Sequence, residues 1–137
     1  MINDGNSPGA PVGKSFPSRA TRYADIRFVW SHAGGTLLGL LSRFLGPEAA
    51  DPSATPAKNS KLYHLQRFFY DTAGSANPIQ MRALKSLVGS GQIVFGSDFP
   101  FIPVSIGVRA LEASGFNAEE LRAIFSANPL RLLPKTA

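Results

Sequence analysis

Three short apolar runs, each ending in a polar side chain next to small residues, constrain this 137-residue chain more than any other feature. The runs are 26–30, 68–72 and 92–96, and stretches with helical spacing of apolar residues separate them. Continuous apolar runs of this length are typical of strands that are covered on both faces. The order strand, helix, strand, helix, strand, helix favours parallel strands joined by right-handed crossovers. The sequence therefore predicts an α/β fold.

Apolar spacing and capping residues predict where the helices lie. Asn77 and Asn117 stand where a helix start needs a side-chain acceptor, and Ile79 is among the apolar residues expected to face the core. Asn128-Pro129 is predicted to break the chain before a last turn. The predicted helices, in chain order, are 36–45, 60–67, 78–88, 104–114 and 118–125.

Composition narrows the classes of protein that this chain can belong to. Hydrophobic residues make up 44% and charged residues 17%, as in a globular domain. The net charge is +5, but the arginines are dispersed, so we expect no nucleic-acid partner. No apolar run approaches the roughly 20 residues of a membrane span, so no membrane partner is expected. The absence of cysteine fits a cytoplasmic protein.

The residues that can take part in catalysis stand at the ends of the predicted strands. His32 and Asp71 stand at the ends of the first two runs, and Asp98 follows the third. Because the carboxyl ends of parallel strands meet at one edge of a sheet, these three side chains should lie close together. A histidine and a carboxylate there can move a proton or bind a metal ion. The alternative for His32 is a structural histidine whose hydrogen bonds are satisfied, and for the aspartates it is a turn-forming residue. For Asp71 the structural and the functional interpretation are equally well supported. The other histidine, His64, is predicted to be structural.

Four segments resemble, in order, motifs of the amidohydrolase-related family, in the branch that includes aminocarboxymuconate-semialdehyde decarboxylase. They are 30–37 (WSHAGGTL), 69–74 (FYDTAG), 94–101 (VFGSDFPF) and 124–133 (IFSANPLRLL). The resemblance implies strands six to eight of a (β/α)8 TIM-type barrel. It also implies that residues 19–137 are the C-terminal part of such a barrel, after a flexible N-terminal arm at 1–18.

The resemblance implies roles for three residues. His32 matches the catalytic histidine, Asp98 matches a catalytic carboxylate that is also a metal ligand, and Arg43 matches an arginine that binds a substrate carboxylate. The expected cofactor is a divalent metal, zinc first and manganese second. The family's other metal-binding histidines are absent, since the chain has only two histidines.

The resemblance leaves the activity open. The first reading is a metal-dependent hydrolase that activates water for attack on an amide, ester or lactone of a small-molecule substrate. The alternatives are a nonoxidative decarboxylase of a small aromatic or unsaturated carboxylic acid, and a non-catalytic, partner-binding remnant. An independent small ligand-binding domain is a further reading. A whole barrel needs about 250 residues, so we expect a fragment that pairs with a second copy or a missing N-terminal half.

Overall fold

The computed structural model describes residues 20–51 and 55–133, so the arm predicted at 1–18 lies outside the described residues. Its centre is a parallel sheet of three strands, in the order β1 (Val29–Trp30), β2 (Phe69–Asp71) and β3 (Ile93–Val94). Both neighbouring pairs of strands run parallel. The α/β fold with a parallel sheet is therefore confirmed.

The strands are shorter than the apolar runs that contain them. Regular β1 pairing covers two residues, and Ile26, predicted within the first strand, is 50% exposed. One hydrogen bond extends the pairing on each side of β2: Phe69 N donates to Phe28 O at 2.9 Å, and Thr72 N donates to Val94 O at 3.1 Å. A strand extends only as far as a neighbouring strand runs beside it within hydrogen-bonding distance. A local run of apolar residues does not specify that length.

None of the helices within the described residues is long and apolar enough to cross a membrane. A π-helical turn at Ala123–Ala127 joins the last two helices. The helices are α1 (Leu41–Leu45), α2 (Lys61–Leu65), α3 (Pro78–Val88), α4 (Val104–Glu112), α5 (Ala118–Arg122) and α6 (Asn128–Leu130).

Two helix predictions are wrong. The continuous helix predicted at 36–45 is a 3₁₀ turn at Leu38–Leu40 followed by α1, because Leu40 leaves helical geometry at φ −109° and ψ 11°. The break predicted at Asn128-Pro129 is instead the start of α6, with Asn128 at φ −70° and ψ −46°. A proline in the first turn costs a helix no hydrogen bond, which explains the second difference.

Both predicted asparagine caps are confirmed. Asn77 Oδ1 accepts hydrogen bonds from Ile79 N at 3.1 Å and Gln80 N at 2.9 Å. Asn117 and Glu120 form a reciprocal capping box at the start of α5. Ile79, however, is 81% exposed, so its predicted place in the core is wrong. Two positions before Met81 on a helix, it points away from the face that Met81 buries.

The core lies between the sheet and the helices. Tyr70 of β2, Met81 of α3 and Ile93 of β3 are completely buried. The Tyr70 hydroxyl donates to Leu65 O at 3.0 Å, so this buried polar group is satisfied. Burial raises the pKa of Tyr70, which keeps the phenol neutral. The strands and helices that carry the candidate site are thus held by a packed centre.

Stability should fall in acid partly through Glu120. Lys85 Nζ lies 2.6 Å from Glu120 Oε1, and this bond, with the Asn117 backbone N–H, holds the pKa of Glu120 below its ordinary 4.5. Because the folded-state pKa is lowered, the stabilisation is present above pH 4.5 and is lost as the pH falls through the lower folded-state value. Urea denaturation between pH 6 and pH 3 should show a smaller decline for Glu120→Gln than for the natural protein. Glu119→Gln, outside this ion pair, should leave the decline unchanged; equal curves for all three proteins would contradict the prediction.

Candidate functional site

The Asp71 carboxylate joins the loops that follow β1 and β2. Its Oδ1 accepts from His32 N at 2.8 Å and from Ala73 N at 3.1 Å. Its Oδ2 accepts from the Ser31 hydroxyl at 3.0 Å. The bond to Ala73 is the local turn contact expected of a structural aspartate. The bonds to Ser31 and His32 cross to the neighbouring strand, so Asp71 also fixes the loop that carries the histidine.

The imidazole of His32 is held by the neighbouring loop. Its Nδ1 lies 2.8 Å from the Ala73 carbonyl oxygen. A carbonyl oxygen only accepts, so Nδ1 carries the hydrogen in this contact. In a neutral imidazole the other nitrogen, Nε2, is then the acceptor. The side chain is exposed, which leaves it accessible to a small molecule.

Asp98 approaches His32 across Gly74. A Cβ on Gly74 would lie 3.1 Å from Asp98 Oδ2 and 3.4 Å from His32 Nδ1. Both functional groups are therefore within a few ångströms of the same point above the loop after β2. The predicted meeting of His32, Asp71 and Asp98 at one edge of the sheet is confirmed, although their chemical roles stay predictions.

The backbone of the site is strained. Among the described residues, the non-glycine residues with positive φ are His32 (53°), Ala33 (55°), Asn59 (65°) and Asp98 (65°). The left-handed region costs an L-residue about 1–2 kcal/mol, and such residues cluster at functional sites. Three of the four lie in the loops after β1 and β3, which sets these loops apart from ordinary turns.

The small residues after the strands are explained by close packing. A Cβ on Gly96 would lie 3.2 Å from the Cβ atoms of both Ala73 and Asp71. Beside it, the Thr72 hydroxyl donates to Gly96 O and accepts from Gly96 N, each at 3.1 Å. The ends of β2 and β3 can approach in this way only because position 96 has no side chain.

Arg43 and His64 lie outside this cluster. Arg43 is an exposed residue of α1, as its predicted helical position requires, and it takes no part in the hydrogen bonds that join Ser31, His32, Asp71 and Ala73. His64 is only 5% exposed, and its Nε2 lies 3.3 Å from Thr21 Oγ1. Burial and the nearby Arg67 charge lower the pKa of His64. Its buried position agrees with the structural role predicted for it.

A shallow apolar hollow begins at Gly35, three residues after His32. Its volume is about 560 Å³, and the start of α3 forms its other wall. The lining is mostly apolar, with Leu38, Leu40, Ile79 and Ala83 among its residues. This hollow could not be predicted from the sequence, because its two walls are about 40 residues apart in the chain.

The described residues do not complete a metal site. Asp98 offers a carboxylate oxygen, a suitable ligand for manganese or zinc. A catalytic zinc ion, however, usually has three protein ligands. Within 20–51 and 55–133, no group of three histidine, cysteine, aspartate or glutamate side chains lies close enough to hold a metal ion.

Curated relatives of this chain include two fungal decarboxylases. It is 34% identical over 117 residues to 6-methylsalicylic acid decarboxylase of Penicillium expansum, covering 82% of this chain and 36% of the relative. It is 33% identical over 132 residues to 6-methylsalicylic acid decarboxylase of Aspergillus aculeatus, covering 85% and 38%. The chain thus spans little more than a third of the length of these relatives.

Solved structures resemble the fold. A dihydroxybenzoic acid decarboxylase from a Polaromonas species, with bound manganese and the inhibitor 2-nitroresorcinol, superposes with a TM-score of 0.69 at 18% identity. The match covers 96% of this chain and 44% of that one. The sequence pattern of the amidohydrolase family matches residues 17–135. That match takes in nearly the whole chain, including His32, Asp71 and Asp98, and this chain therefore belongs to the amidohydrolase family.

Proposed function

We propose that this chain carries part of the active site of a metal-dependent, nonoxidative decarboxylase of a small aromatic carboxylic acid. The observation that carries the proposal is that His32 and Asp98 both approach the open position above Gly74, in a chain whose relatives are named as decarboxylases. The apolar hollow that begins at Gly35 supports an aromatic substrate, since the faces of an aromatic ring make apolar contacts.

The hydrolase reading, put first by the motifs alone, is less well supported than decarboxylation. The motifs are shared by hydrolases and decarboxylases, whereas both fungal relatives are named for the loss of a carboxyl group. The reading as a non-catalytic remnant gives no reason for the strained backbone at His32 and Asp98.

The proposed reaction replaces a carboxyl group by hydrogen. The bond between the ring carbon and the carboxyl carbon breaks, its electron pair stays on the ring carbon, and carbon dioxide leaves. One proton must therefore be delivered to that ring carbon. His32 and Asp98 are the two titratable groups placed to hold and transfer this proton. Arg43 is the candidate for binding the carboxylate, as the family resemblance predicts.

A divalent metal ion, when bound, would supply the positive charge that holds and orients the anionic substrate. Asp98 is its proposed ligand in this chain. The other ligands would come from outside the described residues, as they would if these strands are strands six to eight of a (β/α)8 barrel. A second copy or a separate N-terminal half could supply them, and zinc and manganese both remain candidates.

The test is product analysis with 6-methylsalicylic acid labelled with carbon-13 in the carboxyl group. The purified chain, supplied with manganese or zinc, should release labelled carbon dioxide and a phenol that carries one new ring hydrogen. Deuterium from heavy water should enter the vacated ring position, because the proton comes from an exchanging group. His32→Gln and Asp98→Asn should each remove this activity.

The same preparation should be offered an ester and a lactone of a similar aromatic acid. Hydrolysis without carbon dioxide release would restore the hydrolase reading and overturn the proposal. Turnover of none of these substrates would show that this chain alone does not form the proposed active site. His64→Gln is the matched control for His32→Gln, since it removes the second histidine of the chain, which lies outside the site.

A further inference from the structure

We infer that Asp71 is a positioning residue that holds His32 in a single tautomer, with the hydrogen on Nδ1 and the lone pair on Nε2. Asp71 does this through the backbone, by clamping the loop after β1 to the loop after β2. The inference deepens the proposed function, because it names the nitrogen of His32 that is available to a substrate. Only the statement that Nε2 meets a substrate rests on the proposed function; the tautomer itself does not.

The clamp consists of three hydrogen bonds from two loops to one carboxylate. The Ser31 hydroxyl and His32 N come from the loop after β1, and Ala73 N comes from the loop after β2. His32 N donates over 2.8 Å while its own φ is 53°. A left-handed residue is unfavourable on its own, so a strong acceptor for its N–H offsets part of that strain.

The clamp also determines what His32 Nδ1 meets. Ala73 donates its N–H to Asp71 and presents its carbonyl oxygen 2.8 Å from Nδ1. Both residues of the imidazole contact therefore bind Asp71 through their backbone N–H groups: His32, which carries the ring, and Ala73, which carries the carbonyl oxygen. Because the carbonyl oxygen has no hydrogen to give, this contact is favourable only when Nδ1 is protonated.

Asp71 does not act as a charge partner of the imidazole. Its two oxygens bind two backbone N–H groups and a hydroxyl group, and the ring nitrogen binds a carbonyl oxygen instead. The effect should therefore depend on hydrogen-bond geometry rather than on the negative charge. An asparagine could keep it, with Oδ1 accepting from the two N–H groups and Nδ2 donating to the Ser31 hydroxyl.

The tautomer can be measured without any enzymatic activity. The chain has two histidines, so nitrogen-15 histidine labelling gives two imidazoles, and His64→Gln identifies which is His32. At pH 8.5, about two units above the ordinary histidine value, the natural protein should show a pyrrole-type shift for His32 Nδ1 and a pyridine-type shift for Nε2. In Asp71→Ala both shifts should move to averaged values, as the single tautomer is lost. Asp71→Asn should restore the natural pattern.

Two controls separate the clamp from a general loss of structure. The imidazole of His64 should keep its shifts in Asp71→Ala, and Asp25→Ala, at an exposed position, should leave both histidines unchanged. A protonated Nε2 in the natural protein would overturn the inference, even if Asp71→Ala failed to fold. Averaged shifts in a folded Asp71→Asn would overturn the geometric account. Failure of the decarboxylation assay would leave these spectra as they are, so the two proposals can fail separately.

Discussion

Gly74→Ala is expected to move the Asp98 carboxylate, to change the surroundings of the His32 imidazole and to destabilise the chain. Gly74 has a φ of 57°, in the region where an alanine costs about 1–2 kcal/mol. The added methyl carbon would also lie 3.1 Å from Asp98 Oδ2 and 3.4 Å from His32 Nδ1. The carboxylate must turn away by a few tenths of an ångström, whereas the imidazole comes into van der Waals contact with the new methyl group. Urea denaturation should report the loss of stability, and the nitrogen-15 shifts of His32 should report the change at the site.

Gly46→Ala is the matched control for this change. Gly46 has a φ of 63°, close to that of Gly74, but a Cβ there would meet nothing within 4 Å. Both variants should therefore lose free energy of unfolding from backbone strain. Only Gly74→Ala should alter the His32 resonances. An unchanged His32 spectrum in a folded Gly74→Ala would show that the site does not depend on the space above this glycine.

Asn128→Ala is expected to lower the free energy of unfolding by about 2 kcal/mol. An unsatisfied buried carbonyl costs roughly 1–3 kcal/mol, and Ile93 O loses its Asn128 donor, whereas Ser90 O keeps its bond from Ile93 N. The Asn128 amide donates to Ser90 O at 2.9 Å and to Ile93 O at 2.7 Å. Asn128 is 4% exposed, so water cannot easily replace it. These bonds fix the turn that leads into β3, and through it the loop of Asp98. Urea denaturation at neutral pH would give the size of the loss.

Asn77→Ala makes the same chemical change at an exposed helix cap. Its loss should be about 1 kcal/mol, the usual cost of removing a cap. Ile79 N and Gln80 N, which Asn77 serves, can turn to water instead. If Asn128→Ala cost no more than Asn77→Ala, the buried Ile93 carbonyl group would have to be satisfied in another way.

Elements that depend on neighbouring residues could be predicted from the sequence. The apolar runs predicted three parallel strands, and the Asn77 and Asn117 caps were predicted because a cap uses groups only two or three residues away. The polar residues at the strand ends could be placed at one edge for a similar reason. Parallel strands joined by right-handed crossovers leave little freedom in which ends come together. His32 and Asp98 were found in this way.

Features that depend on distant residues could not be predicted from local sequence patterns. Asp71 could be a turn former or a functional residue in the sequence, and its bonds to Ser31 and His32, about 40 positions away, show that it joins two loops. Asn128 was predicted to break the chain, but it continues the helix and binds two carbonyl oxygens more than 30 positions away. Such bonds depend on which loops the fold brings within about 3 Å, and local propensity carries no information on that distance.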